Sequence, residues 1–202
     1  MIRRVAVPKA VLLIISGPSG VGKGTICSEL MRLRDDLFLS VSATTRRPRL
    51  GEAHGVNYFF MSHKDFISKC EEGEFLEWAE VYGNYYGTPK TAVDKALDEG
   101  KNVVLEIDIQ GALQIKEKVP GAVLIFIAPP SYEELEKRLI KRDTDKQKII
   151  SRRLQNLNKE MNCIKDYDYV VVNDTVCKAA RQVNCIIEAE KCRPHFYPVK
   201  KF

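Results

Sequence analysis

A glycine-rich segment near the N-terminus has the residue types of a loop that binds phosphate groups. Glycines let the backbone curl so that consecutive N–H groups converge on one phosphate, and a lysine at the end of the loop can bridge neighbouring phosphate oxygens. An apolar run, Val11 to Ser16, precedes the segment, and a helical pattern follows it to about Leu33. A chance lysine in a glycine-rich turn would not require this strand, loop and helix order. The sequence therefore predicts that a nucleoside triphosphate binds to Gly17, Pro18, Ser19, Gly20, Val21, Gly22, Lys23, Gly24 and Thr25.

The hydroxyl group that would bind a metal ion stands one position later than usual. Such loops commonly end in Lys followed by Ser or Thr, whose hydroxyl binds Mg²⁺. Here Gly24 follows Lys23, and the hydroxyl belongs to Thr25. Glu106 and Asp108 end another apolar run, where an acidic residue normally holds the metal ion or its water shell. The sequence predicts Mg²⁺ as cofactor, with Thr25, Glu106 and Asp108 as candidate ligands, in part through water; an exposed strand end is the alternative for the two carboxylates.

A cluster of arginines indicates a second phosphate site. Arg46, Arg47 and Arg49 lie close together in the segment from Ser40 to Arg49. Guanidinium groups suit bidentate recognition of phosphate oxygens. The sequence therefore predicts that the chain binds a second phosphorylated ligand in addition to the triphosphate.

Five stretches, in this order, closely resemble the guanylate kinase family of nucleoside monophosphate kinases. They are S-G-P-S-G-V-G-K-G-T, S-V-S-A-T-T-R-R-P-R, F-L-E-W-A-E-V-Y-G-N-Y-Y-G-T, V-V-L-E-I-D-I-Q-G-A and V-V-N-D, and they extend from about Val11 to Asp174. The resemblance implies that ATP and GMP are the substrates. It also implies in-line transfer of the γ-phosphoryl group to give ADP and GDP, a reaction of purine nucleotide metabolism.

The resemblance also implies which residues bind the acceptor nucleotide. It assigns Arg46, Arg49, Tyr58 and Tyr86 to the phosphate of GMP. It assigns Ser42, Glu77, Thr88 and Asp108 to the guanine ring and its surroundings. Guanine presents two donors, N1–H and the 2-amino group, beside an acceptor at O6, so carboxylates can accept from the donors and a hydroxyl can donate to O6. Adenine reverses this pattern.

A charged stretch after the third long apolar run resembles the lid of the same family. The resemblance implies that Arg138, Arg142 and Arg153 close over the transferring phosphoryl group and act in catalysis with Lys23 and Arg46. Phosphoryl transfer requires such groups, because charge spreads over the equatorial oxygens. The family commonly has glycine where Asp143 stands. By the same resemblance, Asn173 contacts the adenine of ATP, although Thr175 and Val176 depart from the family pattern.

Long apolar runs separated by helical patterns must position these residues. Runs like the first recur at Asn102 to Ile107, Ala122 to Ala128 and Tyr169 to Val172. They are typical of strands that are buried on both faces of a parallel sheet. We expect an α/β protein with the P-loop NTPase fold, in which helices flank a parallel sheet. Ser62-x-x-Asp65, Ser131-x-x-Glu134 and Thr144-x-x-Gln147 have the pattern of helix starts, and Gly73 and Gly100 that of helix ends.

The residue pattern changes between Ser42 and Asp98. In this segment, short stretches of alternating hydrophobic and polar residues, turn residues and aromatic residues replace the long apolar runs. We therefore expect residues 42–98 to form an inserted, mixed α+β subdomain that binds GMP. Residues 9–41 and 99–202 then form the P-loop core domain, with the lid within about 138–153. The 202 residues suit one compact unit of this kind.

Composition excludes several classes of protein. The chain has 45% hydrophobic and 29% charged residues and a net charge of +5, with acidic residues scattered among the basic ones, so no nucleic-acid partner is expected. No signal peptide or long apolar run is apparent, which favours a cytoplasmic protein without a membrane partner. The six cysteines are expected to be reduced and mostly buried, with Cys177, Cys185 and Cys192 on one face of a helix. The sequence leaves open whether the protein is a monomer or a homo-oligomer.

Two other functions fit part of the pattern. A guanylate-kinase-like module that binds protein partners without catalysis would share the fold, but such modules typically lose the phosphate loop. A kinase for another nucleoside monophosphate would share the loop, but Glu77 and Asp108 suit guanine.

Overall fold

A computed structural model of the chain describes residues 10–141 and 157–194. Strands and helices alternate along most of this length. In chain order the elements are β1 (Leu12–Ser16), α1 (Lys23–Leu33), β2 (Leu37–Leu39), β3 (Ala43–Thr44), β4 (Phe59–Phe60), α2 (His63–Glu71), β5 (Phe75–Val81), β6 (Asn84–Pro89), α3 (Lys90–Asp98), β7 (Asn102–Glu106), α4 (Ile109–Lys118), β8 (Val123–Ala128), α5 (Tyr132–Lys141), α6 (described over residues 157–162), a 3₁₀ turn (Cys163–Asp166), β9 (Tyr169–Val172) and α7 (Val176–Lys191).

The main sheet has five parallel strands in the order β2-β7-β1-β8-β9. The strand β1 is central, and its Ile15 pairs with Glu106 at the end of β7. The carboxyl ends of parallel strands meet at one edge of a sheet, where open α/β sheets bind their ligands. This register therefore places the segment after β1 beside the segment after β7.

Helices cover both faces of the main sheet. Successive side chains of a strand point to opposite faces, so Leu13 and Ile15 lie in one buried cluster and Leu12 and Ile14 in the other. The first cluster is completed mainly by α1 and α7, and the second by α3 and α4. Burial on both faces explains why the strands are continuous apolar runs rather than alternating ones.

A second, smaller sheet has four strands in the order β4-β3-β6-β5. The strand β3 runs parallel to β4 and antiparallel to β6, and β5 and β6 form a hairpin. The helix α2 packs on this sheet through the fully buried ring of Phe66, which stacks on Phe75 at 4.7 Å and on Tyr85 at 5.5 Å between ring centroids. This mixed sheet carries several of the residues predicted to bind the acceptor.

The predicted fold class is confirmed, since a parallel sheet core is flanked by helices and accompanied by a mixed α+β unit. All four predicted long strands are present, each within one residue of its expected limits. The proposed limits of the insertion, 42 and 98, stay a prediction. Val93 and Ala96, which lie inside those limits on α3, pack in the core of the main sheet.

Helix ends follow the local rules that the sequence suggests. Ser62 and Ser131 accept hydrogen bonds from the backbone N–H groups of Asp65 and Glu134, at 3.1 and 3.2 Å. Gly73 and Gly100 have positive φ values of 70° and 77° just after α2 and α3, where glycine adopts the left-handed conformation without strain. The predicted start at Thr144 lies outside the described residues. No helix within residues 10–141 and 157–194 combines the length and apolar character that a bilayer crossing demands.

The expectation that the cysteines are mostly buried is wrong. Cys27 is buried and Cys70 and Cys163 are half-buried, but Cys177, Cys185 and Cys192 are exposed, and all six are free thiols. The helical spacing correctly placed the last three on α7 and at its end. Helical spacing shows that residues share one face of a helix but not whether that face is buried. In α7, the face that packs on the sheet is formed by Ala179, Val183 and Ile187, and the cysteines lie on another face.

Removal of the Phe66 ring should destabilise the protein. We expect Phe66→Ala to lower the free energy of unfolding by about 3–5 kcal/mol, because it leaves a cavity between α2 and the small sheet. Urea denaturation measures this change. Val56→Ala, at a position that is 70% exposed, should change stability by less than about 0.5 kcal/mol. Equal stability of the two variants would contradict the packing described.

Candidate active site

A cavity of about 670 Å³ opens where the carboxyl ends of β1 and β7 face the small sheet. Eleven of the residues singled out from the sequence line it: Gly17, Ser19, Lys23, Ser42, Arg46, Arg49, Tyr58, Glu77, Tyr86, Glu106 and Asp108. The structure thus brings the phosphate loop and the predicted acceptor residues to one space.

The phosphate loop takes the conformation that its glycines permit. Gly17, Gly20 and Gly22 have φ values of 138°, 86° and 96°, which residues with side chains rarely adopt. Gly22 is the N-cap of α1, so the loop ends at a helix N-terminus with its free N–H groups and positive potential. A side chain at Gly22 would also collide with the Asn173 amide, 2.5 Å from the position of an added Cβ.

Asn173 links the phosphate loop to the end of β8. Its side-chain amide donates to the carbonyl oxygen of Val21 at 2.7 Å, and its backbone N–H donates to Ala128 at 2.8 Å. The residue is only 3% exposed. The structure therefore gives Asn173 a role in fixing the loop, and its predicted contact with adenine stays a prediction.

Lys23 lies folded over its own loop. The Nζ atom donates to the carbonyl oxygens of Gly17 at 2.8 Å and Pro18 at 3.2 Å. Burial lowers the pKa of Lys23, while the carboxylates of Glu106, Glu160 and Asp108 oppose that shift. The ammonium group is thus held at the loop by backbone carbonyls and faces acidic groups.

The predicted metal ligands offer oxygen atoms near the start of α1. The carboxylate of Glu106 lies 3.2 Å from the position of a Cβ added to Gly24, so it approaches the helix next to Thr25. Asp108 is the N-cap of α4, where its Oδ1 atom accepts from the Gly111 N–H at 2.9 Å. Thr25 is exposed. Mg²⁺ prefers one or two carboxylates together with substrate phosphates and water, and this donor set fits that pattern. No group of three or more acidic, His or Cys side chains in the described ranges is arranged to hold a metal by itself.

At the other end of the cavity, the side chain of Arg46 is held by contacts on several sides. Its Nη1 and Nη2 atoms donate to the two carboxylate oxygens of Glu52 at 3.0 and 2.9 Å, and Nη1 also donates to the Arg47 carbonyl oxygen at 2.8 Å. The guanidinium carbon lies 5.4 Å from the centroid of the Tyr58 ring. Tyr58 in turn meets Tyr86 edge to face, with centroids 6.0 Å apart. Three of the four residues predicted to bind the acceptor phosphate therefore form one cluster.

Glu52 is a member of this cluster that the sequence did not identify. Besides pairing with Arg46, it accepts from the backbone N–H of Arg49 at 2.7 Å. The Arg46 guanidinium holds the pKa of Glu52 below its ordinary value. The carboxylate is thus anchored to the loop and fixes both arginines relative to each other.

Glu77 is a buried carboxylate, only 3% exposed. Its Oε1 atom accepts a 2.6 Å hydrogen bond from the fully buried Thr88 hydroxyl. Burial raises the pKa of Glu77 to about 7, the Thr88 hydrogen bond opposes the shift, and nearby Asp108 adds to it. Burial also raises the pKa of Asp108. Thr88 does not line the cavity, so the structure places it as the support of Glu77.

Absence of a side chain at Gly111 makes room for Glu77. A Cβ added to Gly111 would lie 2.9 Å from the Cδ atom of Glu77 and 3.2 Å from Oδ1 of Asp108. Such distances are shorter than van der Waals contact allows. Gly111 therefore lets α4 approach β5 and brings the two carboxylates together.

Of the three arginines predicted for the lid, Arg138 lies within the described residues. Arg138 lies on α5, where its Nε atom donates to Glu134 at 2.9 Å and its Nη1 atom to the Asn173 carbonyl oxygen at 3.1 Å. It does not line the cavity. Arg142 and Arg153 lie outside the described residues. The catalytic roles of these three arginines stay predictions.

Comparison with known proteins agrees with this geometry. The family model described as guanylate kinase matches residues 9–190. The chain belongs to the guanylate kinase family. It is 56% identical to a guanylate kinase of Clostridium perfringens over 185 residues, which cover 92% of this chain and 86% of the relative. A guanylate kinase of Caldanaerobacter subterraneus subsp. tengcongensis is 55% identical over 92% of this chain and 90% of its own. The crystal structure of guanylate kinase from Anaplasma phagocytophilum is similar with a TM-score of 0.78 and 35% identity, covering 92% of this chain and 88% of that one.

The cavity is also lined by residues to which the sequence analysis assigned no role. Val81 and Tyr82 line it from the hairpin, Ile109 and Gln110 from α4, and Lys159, Glu160 and Cys163 from the region of α6. Leu157 and Met161 anchor α6 in the core, so the opposite side of the helix is free to face the cavity. A helical spacing of 159, 160 and 163 was visible in the sequence, but nothing there indicated which space that face would line.

Replacement of Glu77 by Gln should change how stability depends on pH. The folded carboxyl group has a pKa of about 7 against an ordinary 4.5, so between these values the folded state binds a proton that the unfolded state releases. The wild type then loses stability as pH rises through this window. We expect Glu77→Gln to be more stable than the wild type at pH 8 by roughly 3 kcal/mol and to show no advantage near pH 4.

Urea denaturation between pH 4 and pH 8 measures the difference. Glu74→Gln is the matched control, because Glu74 is an exposed carboxylate paired with Lys69. This control should show no gain in stability as pH rises. A difference between Glu77→Gln and wild type that is constant over the whole range would contradict the assigned pKa.

Proposed function

We propose that this protein transfers the γ-phosphoryl group of ATP to GMP, which gives ADP and GDP. One observation carries the proposal: a single cavity is lined by Lys23 of the phosphate loop, by the arginines Arg46 and Arg49, and by the carboxylates Glu77 and Asp108. Two phosphorylated ligands held in one space can meet end to end, as in-line transfer requires. The family to which the chain belongs supports this assignment.

The two carboxylates suit the base of GMP. Guanine offers N1–H and the 2-amino group as donors on one edge. Glu77 is buried and ionises near pH 7, so guanine would supply hydrogen bonds that this charge otherwise lacks. Adenine would place the N1 lone pair against a carboxylate and leave both groups unsatisfied, which disfavours AMP.

The chain needs no protein nucleophile for the reaction. Arg46 and Arg49, with Tyr58 and Tyr86, hold the acceptor phosphate, and the amides of residues 17–25 hold the donor phosphates. The Lys23 ammonium exchanges the carbonyl oxygens of Gly17 and Pro18 for phosphate oxygens. Its positive charge then stabilises the charge that spreads over the transferring group. Arg138, Arg142 and Arg153 would add to this charge from the lid.

Mg²⁺ is the expected cofactor. The hydroxyl of Thr25 and the carboxylates of Glu106 and Asp108 would hold it, directly or through water, beside the donor phosphates. When bound, the ion neutralises charge on the β- and γ-phosphate oxygens.

A coupled assay for ADP tests the function. We expect turnover with ATP and GMP, a kcat/KM for AMP lower by about 10⁴-fold, and no activity after EDTA removes the metal ion. Lys23→Ala should lower kcat by at least about 10²-fold, because one preorganised donor to the developing charge is lost. Lys165→Ala, a lysine that does not line the cavity, is the control. Turnover with AMP but not GMP would overturn the assignment, and nucleotide-independent binding of a protein partner without turnover would favour the non-catalytic alternative.

Substitution at Gly111 tests the position of Glu77. Gly111→Ala should raise KM for GMP by about 10- to 100-fold, since hydrogen bonds to a charged group contribute about 1.5–3 kcal/mol each and the added Cβ displaces the carboxylate. KM for ATP should stay the same. Gly121→Ala provides the control, because a Cβ added there meets no atom within 4 Å. Equal KM values for GMP in the two variants would show that Glu77 does not contact the acceptor.

A further inference from the structure

The strand β5 contains an extra residue opposite β6. Phe75 and Trp78 both pair with residues of β6. Between these two pairs β5 has two residues, Leu76 and Glu77, whereas β6 has one. Two residues opposite one form a β-bulge, which bends its strand and changes the direction of a side chain. The buried carboxylate of the acceptor site therefore belongs to a bulge rather than to a regular strand.

The bulge directs two consecutive side chains towards α4. In a regular strand, successive side chains point to opposite faces. Leu76, however, packs against the buried cluster to which α4 contributes, and the carboxylate of Glu77 lies next to Gly111 of the same helix. The rings of Phe75 and Trp78, on either side of the bulge, both belong to the aromatic group that packs on α2. The orientation of Glu77 thus depends on the bulge.

The helix α4 lies along the outer side of β5, which is the edge strand of the small sheet. The side-chain amide of Gln114 donates from Nε2 to the carbonyl oxygen of Trp78 at 2.8 Å and accepts from the Trp78 N–H at 3.4 Å. The Nζ atom of Lys118 donates to the carbonyl oxygen of Leu76 at 2.7 Å. An edge strand leaves such backbone groups without a neighbouring strand. Gln114 and Lys118 bind them on both sides of Glu77.

The spacing of these contacts suits a helix beside a strand. Gly111, Gln114 and Lys118 are three and four residues apart, so they share one stripe of α4. Four helical residues rise about 6 Å. Two residues of a strand span roughly 6.6 Å, which is the separation of the two carbonyl groups along β5. One helix can therefore hold both carbonyl oxygens while the missing side chain at Gly111 leaves room for Glu77.

We propose that Gln114 and Lys118 are positioning residues for the acceptor, which hold the bulge of β5 so that Glu77 faces the base of GMP. This inference rests on the proposed function. Neither side chain lines the cavity, so each acts through β5 and not by contact with the nucleotide. The positive charge of Lys118 also opposes the rise in the pKa of Glu77 that burial causes. Gln114 carries no charge, so its substitution tests the hydrogen bonds alone.

Substitution of Gln114 by Met removes the amide and keeps the length of the side chain. We expect Gln114→Met to raise the Kd of GMP about five-fold in calorimetry, because a smaller fraction of the protein holds Glu77 in the binding orientation. The Kd of ATP should not change. The ratio of kcat/KM for GMP to kcat/KM for AMP should fall by at least the same factor, since a displaced Glu77 discriminates less between the two bases.

Two further variants control for the loss of the amide. Gln114→Lys restores a donor to the carbonyl oxygen of Trp78, as Lys118 does for Leu76, and should return the Kd of GMP to within about two-fold of the wild type. Gln182→Met makes the same exchange at an exposed position of α7, and it should behave as the wild type.

The outcomes separate this inference from the proposed function. A wild type that neither binds nor phosphorylates GMP would refute the function itself. With an active wild type, an unchanged Kd of GMP in Gln114→Met would refute the positioning role alone. Weaker binding of GMP with an unchanged ratio of GMP to AMP turnover would mean that the contact supports the whole hairpin and not Glu77, and the inference would fail.

Lys118→Met removes the contact on the other side of the bulge and is judged by the same two measurements. It replaces Gln114→Met if that variant does not fold. If neither variant folded, the contacts of α4 with β5 would have a purely structural role, and the inference would be wrong.

Discussion

Lys23 carries a positive charge into a half-buried position at the phosphate loop, where burial lowers its pKa, and the site is arranged around that charge. A buried ammonium group is stable only when hydrogen bonds and opposite charges replace its water. The carbonyl oxygens of Gly17 and Pro18 provide the hydrogen bonds. Opposite charges come from different parts of the fold: Glu106 from the strand that pairs with β1, and Asp108 from the helix cap that follows it. The strand order of the main sheet therefore helps to keep Lys23 charged, because the pairing of β7 with β1 brings these carboxylates near the ammonium group.

The acceptor end of the cavity presents the opposite electrostatic problem. Glu77 is a buried negative group with one hydrogen bond from Thr88 and with Asp108 close by. Two neighbouring carboxylates disfavour ionisation until a ligand supplies donors. Under the proposed function guanine is such a ligand, and the cost of burying Glu77 would then be a means of selecting the base. Gly111 keeps the two carboxylates close enough for this purpose.

Sequence reasoning was strongest where local rules decide the structure. The apolar runs became the buried strands, and Gly73 and Gly100 ended helices because their positive φ values favour glycine. It identified eleven residues of the cavity wall, since the motifs that carry them are distinctive. It failed for Glu52 and Gly111, whose roles depend on which side chain lies opposite them in space. The exposure of Cys177, Cys185 and Cys192 was missed for a similar reason: the spacing defined a face of α7 but not its neighbour.

The ion pair between Arg46 and Glu52 has a consequence for how the acceptor arrives. Without a carboxylate partner, clustered arginines would repel one another when no nucleotide is bound, and they would attract any anion from a distance. Because Glu52 neutralises Arg46 and is tied to the backbone of Arg49, the cluster has less net charge and less long-range pull on passing anions. Under the proposed function, capture of the acceptor phosphate would then depend more on close fit at these guanidinium groups than on long-range steering.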